Sequence, residues 1–312
     1  MIESDNPLTL AMPTERETVF SRVFNAPRQL VFEAMTRPEH VQKWYGLRSH
    51  TMSLCEIDFR PGGAWRYVVQ AADGSEHGFS GVYQEIEAPT RLVYSEGYEA
   101  MPGHDYLVTV YLSEEGGKTT VTGRLQYRSQ QDRDGHYQSG MEWGMRESMA
   151  RLDELLDTLP RTLVIERIFN APRELVWRAW TEPEHLMRWH GPKGYTAPIS
   201  KIDFRVGGTY HSCMRSPEGQ DYWSTGTYQE IVPLERIVCS DSFADPEGNV
   251  VPASYYGMGE FPLALTVTVT FEDLGGKTKM TLYHAGFPAG DVSMYATAGW
   301  NESFDKLADT LG

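Results

Sequence analysis

Apolar and polar positions alternate in short runs along most of the chain, and the spacing lengthens to that of a helix in only a few places. Val19, Phe20, Val23 and Phe24 suit a half-buried strand, as do Val164, Ile165, Ile168 and Phe169. Pro27 and Pro172 end these strands, because proline offers no N–H to a ladder, and each can open a helix at its first position. Leu30, Val31, Ala34 and Met35 then form a wide apolar stripe at helical spacing, and Leu175, Val176, Ala179 and Trp180 form another. A second short helix starts in each case at Thr36-Arg37-Pro38-Glu39 or Thr181-Glu182-Pro183-Glu184, with proline and an acid in the first turn, and ends before Gly46 or Gly191.

These paired words are copies of one another. Val19 to Gly46 and Val164 to Gly191 agree at 16 of 28 positions with a constant offset of 145, and a repeat this long is a duplicated domain rather than a solenoid unit. The same offset carries through strands from His50 to Phe59 and from Tyr195 to Phe204, and through the hairpin turns Arg60-Pro61-Gly62-Gly63 and Arg205-Val206-Gly207-Gly208. It continues through the strands that contain Gly81 and Gly226. At Val108 to Leu112 and Val267 to Phe271 the offset becomes 159, so the second copy carries a 14-residue insertion, which lies within Asp241 to Pro262. After a last strand each copy ends in a long helix whose apolar face is Met145, Met149, Leu152 and Leu156, or Trp300, Phe304, Leu307 and Leu311. The predicted class is α+β: strand, two short helices, six antiparallel strands and one long C-terminal helix, in domains 14–159 and 160–312. Residues 1 to about 13 read as a loose arm.

Composition narrows the function. With 28 Lys and Arg against 43 Asp and Glu, the formal net charge of −15 repels phosphate, so no nucleic acid is expected as partner. No apolar run approaches the roughly 18 residues of a membrane span, and the N-terminus lacks a basic start and apolar core, so we expect a cytoplasmic protein with no membrane contact. Cys55, Cys213 and Cys239 fall opposite Ser200, Val68 and Tyr94 of the other copy, share no framework and read as free thiols. Oligomeric state is left open.

The series FNAPRELVWRAWTEPEHLMRWHGP, IDFRVGGTY, YWSTGTYQEIVPLERIV, PASYYGMGEFPLALTVTVTF, GGKTKMTL, HAGFPAG and GWNESFDKLADTL resembles the bacterial family named for homology to the C-terminal domain of the heat-shock protein 90 ATPase activator. The resemblance is strong over 161–312 and weaker over 14–158, where the insertion is missing and Met145 stands for Trp300. It implies the START-like (SRPBCC) superfamily and two tandem helix-grip domains. In that fold a curved antiparallel sheet wraps a long C-terminal helix around a deep apolar cavity.

Candidate chemistry is sparse. No Ser, His and Asp set and no carboxylate pair recurs in both copies, so no catalytic residue is assigned and the chain reads as a binding protein rather than an enzyme. His40, His185 and His190 lack partners at ligand spacing, so neither a metal nor a cofactor is expected. The candidate ligand-binding set is Trp65, Tyr67, Tyr83, Met145 and Met149 in the first domain. In the second it is Tyr210, Met214, Tyr228, Tyr255, Tyr256, Met258, Trp300 and Phe304. Gly81 and Gly226, set in mid-strand, mark a bend or a space left for something else. The leading expectation is non-enzymatic binding of a small hydrophobic or aromatic molecule. The alternatives are an interaction protein resembling a chaperone ATPase activator and an enzyme resembling cyclases and aromatases, for which His211, His284, Tyr255 and Tyr256 are the candidates.

Overall fold

A computed structural model describes residues 7–259, 261–289 and 292–312, the side chains of 292–294 excepted. The chain divides into two compact units, Met1–Thr158 and Leu159–Gly312.

The first unit opens with a departure from the sequence pattern. Residues 1–6 of the expected arm lie outside the described residues, but β1 (Thr9–Thr14) is a strand paired antiparallel with β2 (Glu17–Phe24), and Leu8 is buried just ahead of it. An edge strand whose side chains mostly face solvent needs only backbone hydrogen bonds, so no buried face has to show in its sequence. Two short helices follow, α1 (Arg28–Thr36) and α2 (Pro38–Trp44), then the strands β3 (Thr51–Ile57), β4 (Ala64–Gln70), β5 (Glu76–Glu87), β6 (Arg91–Tyr98), β7 (Tyr106–Glu115) and β8 (Lys118–Gln126). A further helix, α3 (Gln130–Gln138), precedes the long α4 (Met141–Thr158). The pattern hides α3 because it has no apolar stripe; Ser129 starts it by accepting the Asp132 N–H at 3.1 Å. The eight strands form one antiparallel sheet in the order β1-β2-β8-β7-β6-β5-β4-β3.

The second unit repeats this plan without the leading strand or the extra helix. It runs β9 (Arg161–Phe169), α5 (Arg173–Thr181), α6 (Pro183–Trp189), β10 (Thr196–Ile202), β11 (Thr209–Arg215), β12 (Asp221–Val232), β13 (Arg236–Ala244), β14 (Leu265–Asp273), β15 (Thr278–Phe287) and α7 (Val292–Leu311). Its seven strands are ordered β10-β11-β12-β13-β14-β15-β9. α7 lies against β9, α5 and α6 and buries Phe304 and Leu307 in the core. Both units are helix-grip domains.

The repeat extends to individual hydrogen bonds. Trp44 Nε1–H donates to Ala34 O at 2.8 Å and Trp189 Nε1–H to Ala179 O at 2.9 Å, locking the two short helices together in each unit. Gly62 N–H donates to Tyr83 O, and Gly207 N–H to Tyr228 O, tying the same hairpin turn to the strand after the hairpin in both units.

Gly81 and Gly226 sit where the sheet bends. The β5–β6 ladder pairs Ser80 with Gly97 and resumes at Tyr83 with Tyr94; the β12–β13 ladder pairs Thr225 with Ser242 and resumes at Tyr228 with Cys239. In the gaps the Val82 N–H turns to Ser95 Oγ at 3.0 Å and the Thr227 N–H to Ser240 Oγ at 2.9 Å. A Cβ at Gly81 would lie 1.7 Å from Ser95 O, and one at Gly226 would lie 1.9 Å from Ser240 O and 2.5 Å from a Tyr210 ring carbon. These glycines therefore make the bend, and the space they leave is taken by a carbonyl and an aromatic ring rather than kept for a guest.

Two outcomes follow from this architecture. Residues 160–312 expressed alone should unfold in one cooperative urea transition, since every element of the second sheet and its helix lies within them; a molten fragment would mean that the units share a core. Gly226→Ala should cost at least about 2 kcal/mol, the overpacking range, in urea denaturation of the full chain, and an unchanged midpoint would show that the bend accepts a side chain.

Candidate ligand-binding site

The second unit contains a cavity of about 390 Å³ between the concave face of its sheet, α7 and the insertion. Trp180, Leu186, Ile237, Val267 and Phe287 supply an apolar wall, and Tyr210, Met214 and Tyr228 stand on the bent strands. From α7 come Tyr295, Ala296, Gly299, Trp300 and Ser303, one helical turn apart in pairs. The insertion contributes Phe243, Met258, Phe261 and Pro262. Met258 and Tyr295 are 37% and 77% exposed, which places the mouth where they stand.

A polar cluster occupies one end. Tyr210 Oη–H donates to Asp241 Oδ1 at 2.6 Å, and His284 Nε2 lies 3.3 Å from Asp241 Oδ2, a contact short enough for attraction but off the line of a hydrogen bond. Trp300 Nε1–H donates to His284 Nδ1 at 3.2 Å. An indole nitrogen only donates, so Nδ1 carries no proton and His284 is the neutral imidazole with its proton on Nε2, toward Asp241. Burial would raise the Asp241 carboxyl, but its contacts with His284 and Tyr210 outweigh it and hold Asp241 below the ordinary carboxylate value. His190 has its Nδ1 buried without a partner. Desolvation pushes its imidazole down to about 4, with Asp241 opposing and Lys306 assisting, so it is neutral at pH 7.

The first unit differs at the matching place. Its corresponding void is about 50 Å³, room for a few waters, and is lined by Met35, Tyr45, Trp65, Tyr67, Tyr83, Tyr94 and Glu96 among others. The difference lies in a few side chains at matching positions. Tyr45, Tyr67, Phe79 and Tyr94 of the first unit stand where the second has His190, Ser212, Ser224 and Cys239. Those aromatics fill the core: the Tyr45 and Tyr67 rings are 4.9 Å apart, Tyr45 and Phe79 6.0 Å, and Trp65 and Tyr94 5.9 Å. Glu96 takes the place of Asp241. Burial pushes it up to about 7, only partly relieved by hydrogen bonds from Tyr106 and Tyr45.

The structure sorts the residues singled out from sequence. Tyr210, Met214, Tyr228, Met258 and Trp300 line the large cavity. Phe304 is 1% exposed and supports it from the core. Tyr256 instead pins the insertion, its hydroxyl accepting from Trp223 N–H at 3.0 Å and donating to Ala244 O at 2.7 Å, while Tyr255 is 57% exposed. Trp65, Tyr67 and Tyr83 pack on one another and leave only the small void; Met145 and Met149 do not line it, Met149 being buried in the helix interface. Of the enzyme candidates only His284 reaches the cavity: His211 stacks on Trp223 and contacts Asp245 O. Asp241, His190 and Ser212 belong to the site and went unread. The comparison that exposes them is position by position between the two halves, where aromatic residues give way to small or polar ones.

Among the described residues no group of three His, Cys, Asp or Glu side chains is placed to hold a metal ion, and no helix is long and apolar enough to cross a membrane. No functionally curated protein matches the chain. Among solved structures, a Rhodobacter sphaeroides protein is 28% identical, the match covering 48% of this chain and 97% of that one with a TM-score of 0.46. A Nitrosomonas europaea protein is 26% identical over 46% of this chain and 96% of its own, with a TM-score of 0.43. The AHSA1 protein of Silicibacter pomeroyi is 23% identical over 48% of this chain and 97% of its own, at 0.40. The family model described as activator of Hsp90 ATPase homolog 1-like protein matches twice, over residues 25–157 and 170–312, and the chain belongs to that family, carrying its domain in tandem.

Proposed function

We propose that the second domain binds a small, largely apolar or aromatic molecule without transforming it, and that the first domain has no binding site of its own. The observation that carries this reading is the 390 Å³ cavity of the second domain, walled by apolar and aromatic side chains with its polar groups gathered at one end. That is the size and make-up of a small-molecule site. Catalysis is disfavoured by the state of His284: its basic nitrogen already accepts the Trp300 N–H, and no nucleophile with a free base stands beside it. The free thiols Cys55, Cys213 and Cys239 support a cytoplasmic setting, where thiols stay reduced.

The family's name supplies the second reading, a contact that stimulates a chaperone ATPase. Under that reading the cavity has no role and filling it changes nothing that matters.

The neutral fluorophore N-phenylnaphthylamine should bind the full chain with one-to-one stoichiometry and quench tryptophan emission. Ser224→Phe, which restores the aromatic of the first domain, should abolish uptake, and Trp300→Ala should weaken it by about 1 to 3 kcal/mol, the worth of one buried apolar side chain, with the fold retained. Absence of uptake by the wild type, or uptake unchanged in Ser224→Phe, would reject the binding reading. A chaperone ATPase assay with the same two proteins would then be decisive.

A further inference from the structure

The cavity holds a charge that the protein does not neutralise. Asp241 lines the polar end with about a quarter of its side-chain surface open (26%), while its His284 partner is 6% exposed. Among the described residues, few groups act on this carboxyl. Tyr210 on β11 gives one neutral hydrogen bond to Oδ1. His284 on β15 is neutral because its Nδ1 accepts from Trp300 on α7. His190, just after α6, is uncharged for want of solvent. Lys306 on α7 spends its ammonium on the carbonyls of Gly191 and Tyr195, both at 2.9 Å. Among the described residues no lysine or arginine lines the cavity.

A carboxylate of this kind accepts about four hydrogen bonds, and the described residues supply one well-aligned donor and one oblique contact. The remaining lone pairs face the space a guest would fill. Around them stand aromatic faces. Trp300 stacks on Trp180 at 5.9 Å with rings 20° apart, and Tyr210 and Tyr228 are 6.1 Å apart. An anion beside aromatic faces in a water-poor pocket is the arrangement that selects an organic cation: the carboxylate pairs with the N–H groups and the rings attract the charge through their quadrupoles.

The first domain serves as an internal control. Its carboxyl at the same position, Glu96, faces only the void of about 50 Å³ and lies among Tyr45, Tyr94 and Tyr106. There the protein meets the cost of burial by letting the carboxyl keep a proton at neutral pH more readily than a free glutamate does. In the second domain the contacts with His284 and Tyr210 outweigh burial and keep the charge on Asp241.

We propose that the guest of the second domain is an apolar or aromatic molecule bearing a protonated amine, with Asp241 as its anionic anchor. This assignment rests on the reading that the cavity binds a small molecule. The alcohol of the same skeleton could take one hydrogen bond but would leave the charge unpaired, and the corresponding acid would set two carboxylates side by side.

The test is calorimetric titration of the full chain with naphthylethylamine, naphthylethanol and naphthylacetate at pH 7. The amine should bind at least about tenfold more tightly than the alcohol, as expected for a charge-assisted hydrogen bond, and the acid should bind weakest. In Asp241→Asn the amine's advantage over the alcohol should fall to within about twofold. The wild-type series decides even if Asp241→Asn folds poorly. Alcohol or acid binding as tightly as the amine would overturn the amine assignment and leave the binding reading standing, as would an amine preference that survives Asp241→Asn. Failure of all three probes to bind would overturn both.

Discussion

Two backbones approach so closely at Gly81 and Gly226 that no side chain fits between them, and the rest of each domain depends on that approach. Where the Ser95 or Ser240 carbonyl presses on the glycine, the ladder loses its regular pairs and a serine hydroxyl takes over one backbone N–H. The strand bends there, and a bent sheet can curl around a helix instead of lying flat against it. Curvature creates the interior space. It does not decide what fills it.

That decision falls to side chains on the concave face. In the first domain Tyr45, Trp65, Tyr67, Phe79 and Tyr94 pack ring on ring, with Tyr45–Tyr67, Tyr45–Phe79 and Trp65–Tyr94 edge to face, a geometry that adds about 0.5–1.5 kcal/mol per pair beyond the area buried. The second domain gives up most of these contacts for histidine, serine and cysteine, and a cavity of about 390 Å³ takes their place. An unfilled space in a core costs stability, because the lining atoms lose their partners. A fold that keeps such a space in one copy and closes it in the other has separated the demand for stability from the demand for a binding site.

Much of this was legible in the sequence because the repeat doubles every signal. A strand pattern ending at Pro27 is ambiguous alone, and the same pattern ending at Pro172 removes the ambiguity. The elements that escaped, β1 and α3, are the ones that bury little: β1 is held by ladder hydrogen bonds and α3 starts on the Ser129 cap. The site was legible only in part. Large apolar residues such as Trp300 and Tyr228 announce themselves, and Phe304 announces itself equally well while serving the core, since hydrophobicity does not distinguish a wall from its support. Tyr256 misled for the opposite reason: its ring suggested a guest, but its hydroxyl ties the insertion to the Trp223 and Ala244 backbone. What makes the cavity is absence of bulk at Ser212, Ser224 and Cys239, and small residues carry no signal of their own.

The carboxyl at position 96 or 241 shows how the same constraint produces two electrostatic outcomes. Both domains bury an acid beside tyrosines on the strand that follows the bend. Burial pushes each upward, and what differs is the answering group. Tyr45 and Tyr106 donate to Glu96 without outweighing desolvation, so protonation at a near-neutral pH relieves the cost. Asp241 has Tyr210 and the proton-bearing nitrogen of His284, and His284 is fixed in that tautomer by Trp300, so the helix residue that walls the cavity also sets the charge within it. Bulk and charge therefore change together between the two domains. Where Tyr94 closes the space the acid can shed its charge, and where Cys239 opens it the charge persists and faces the cavity.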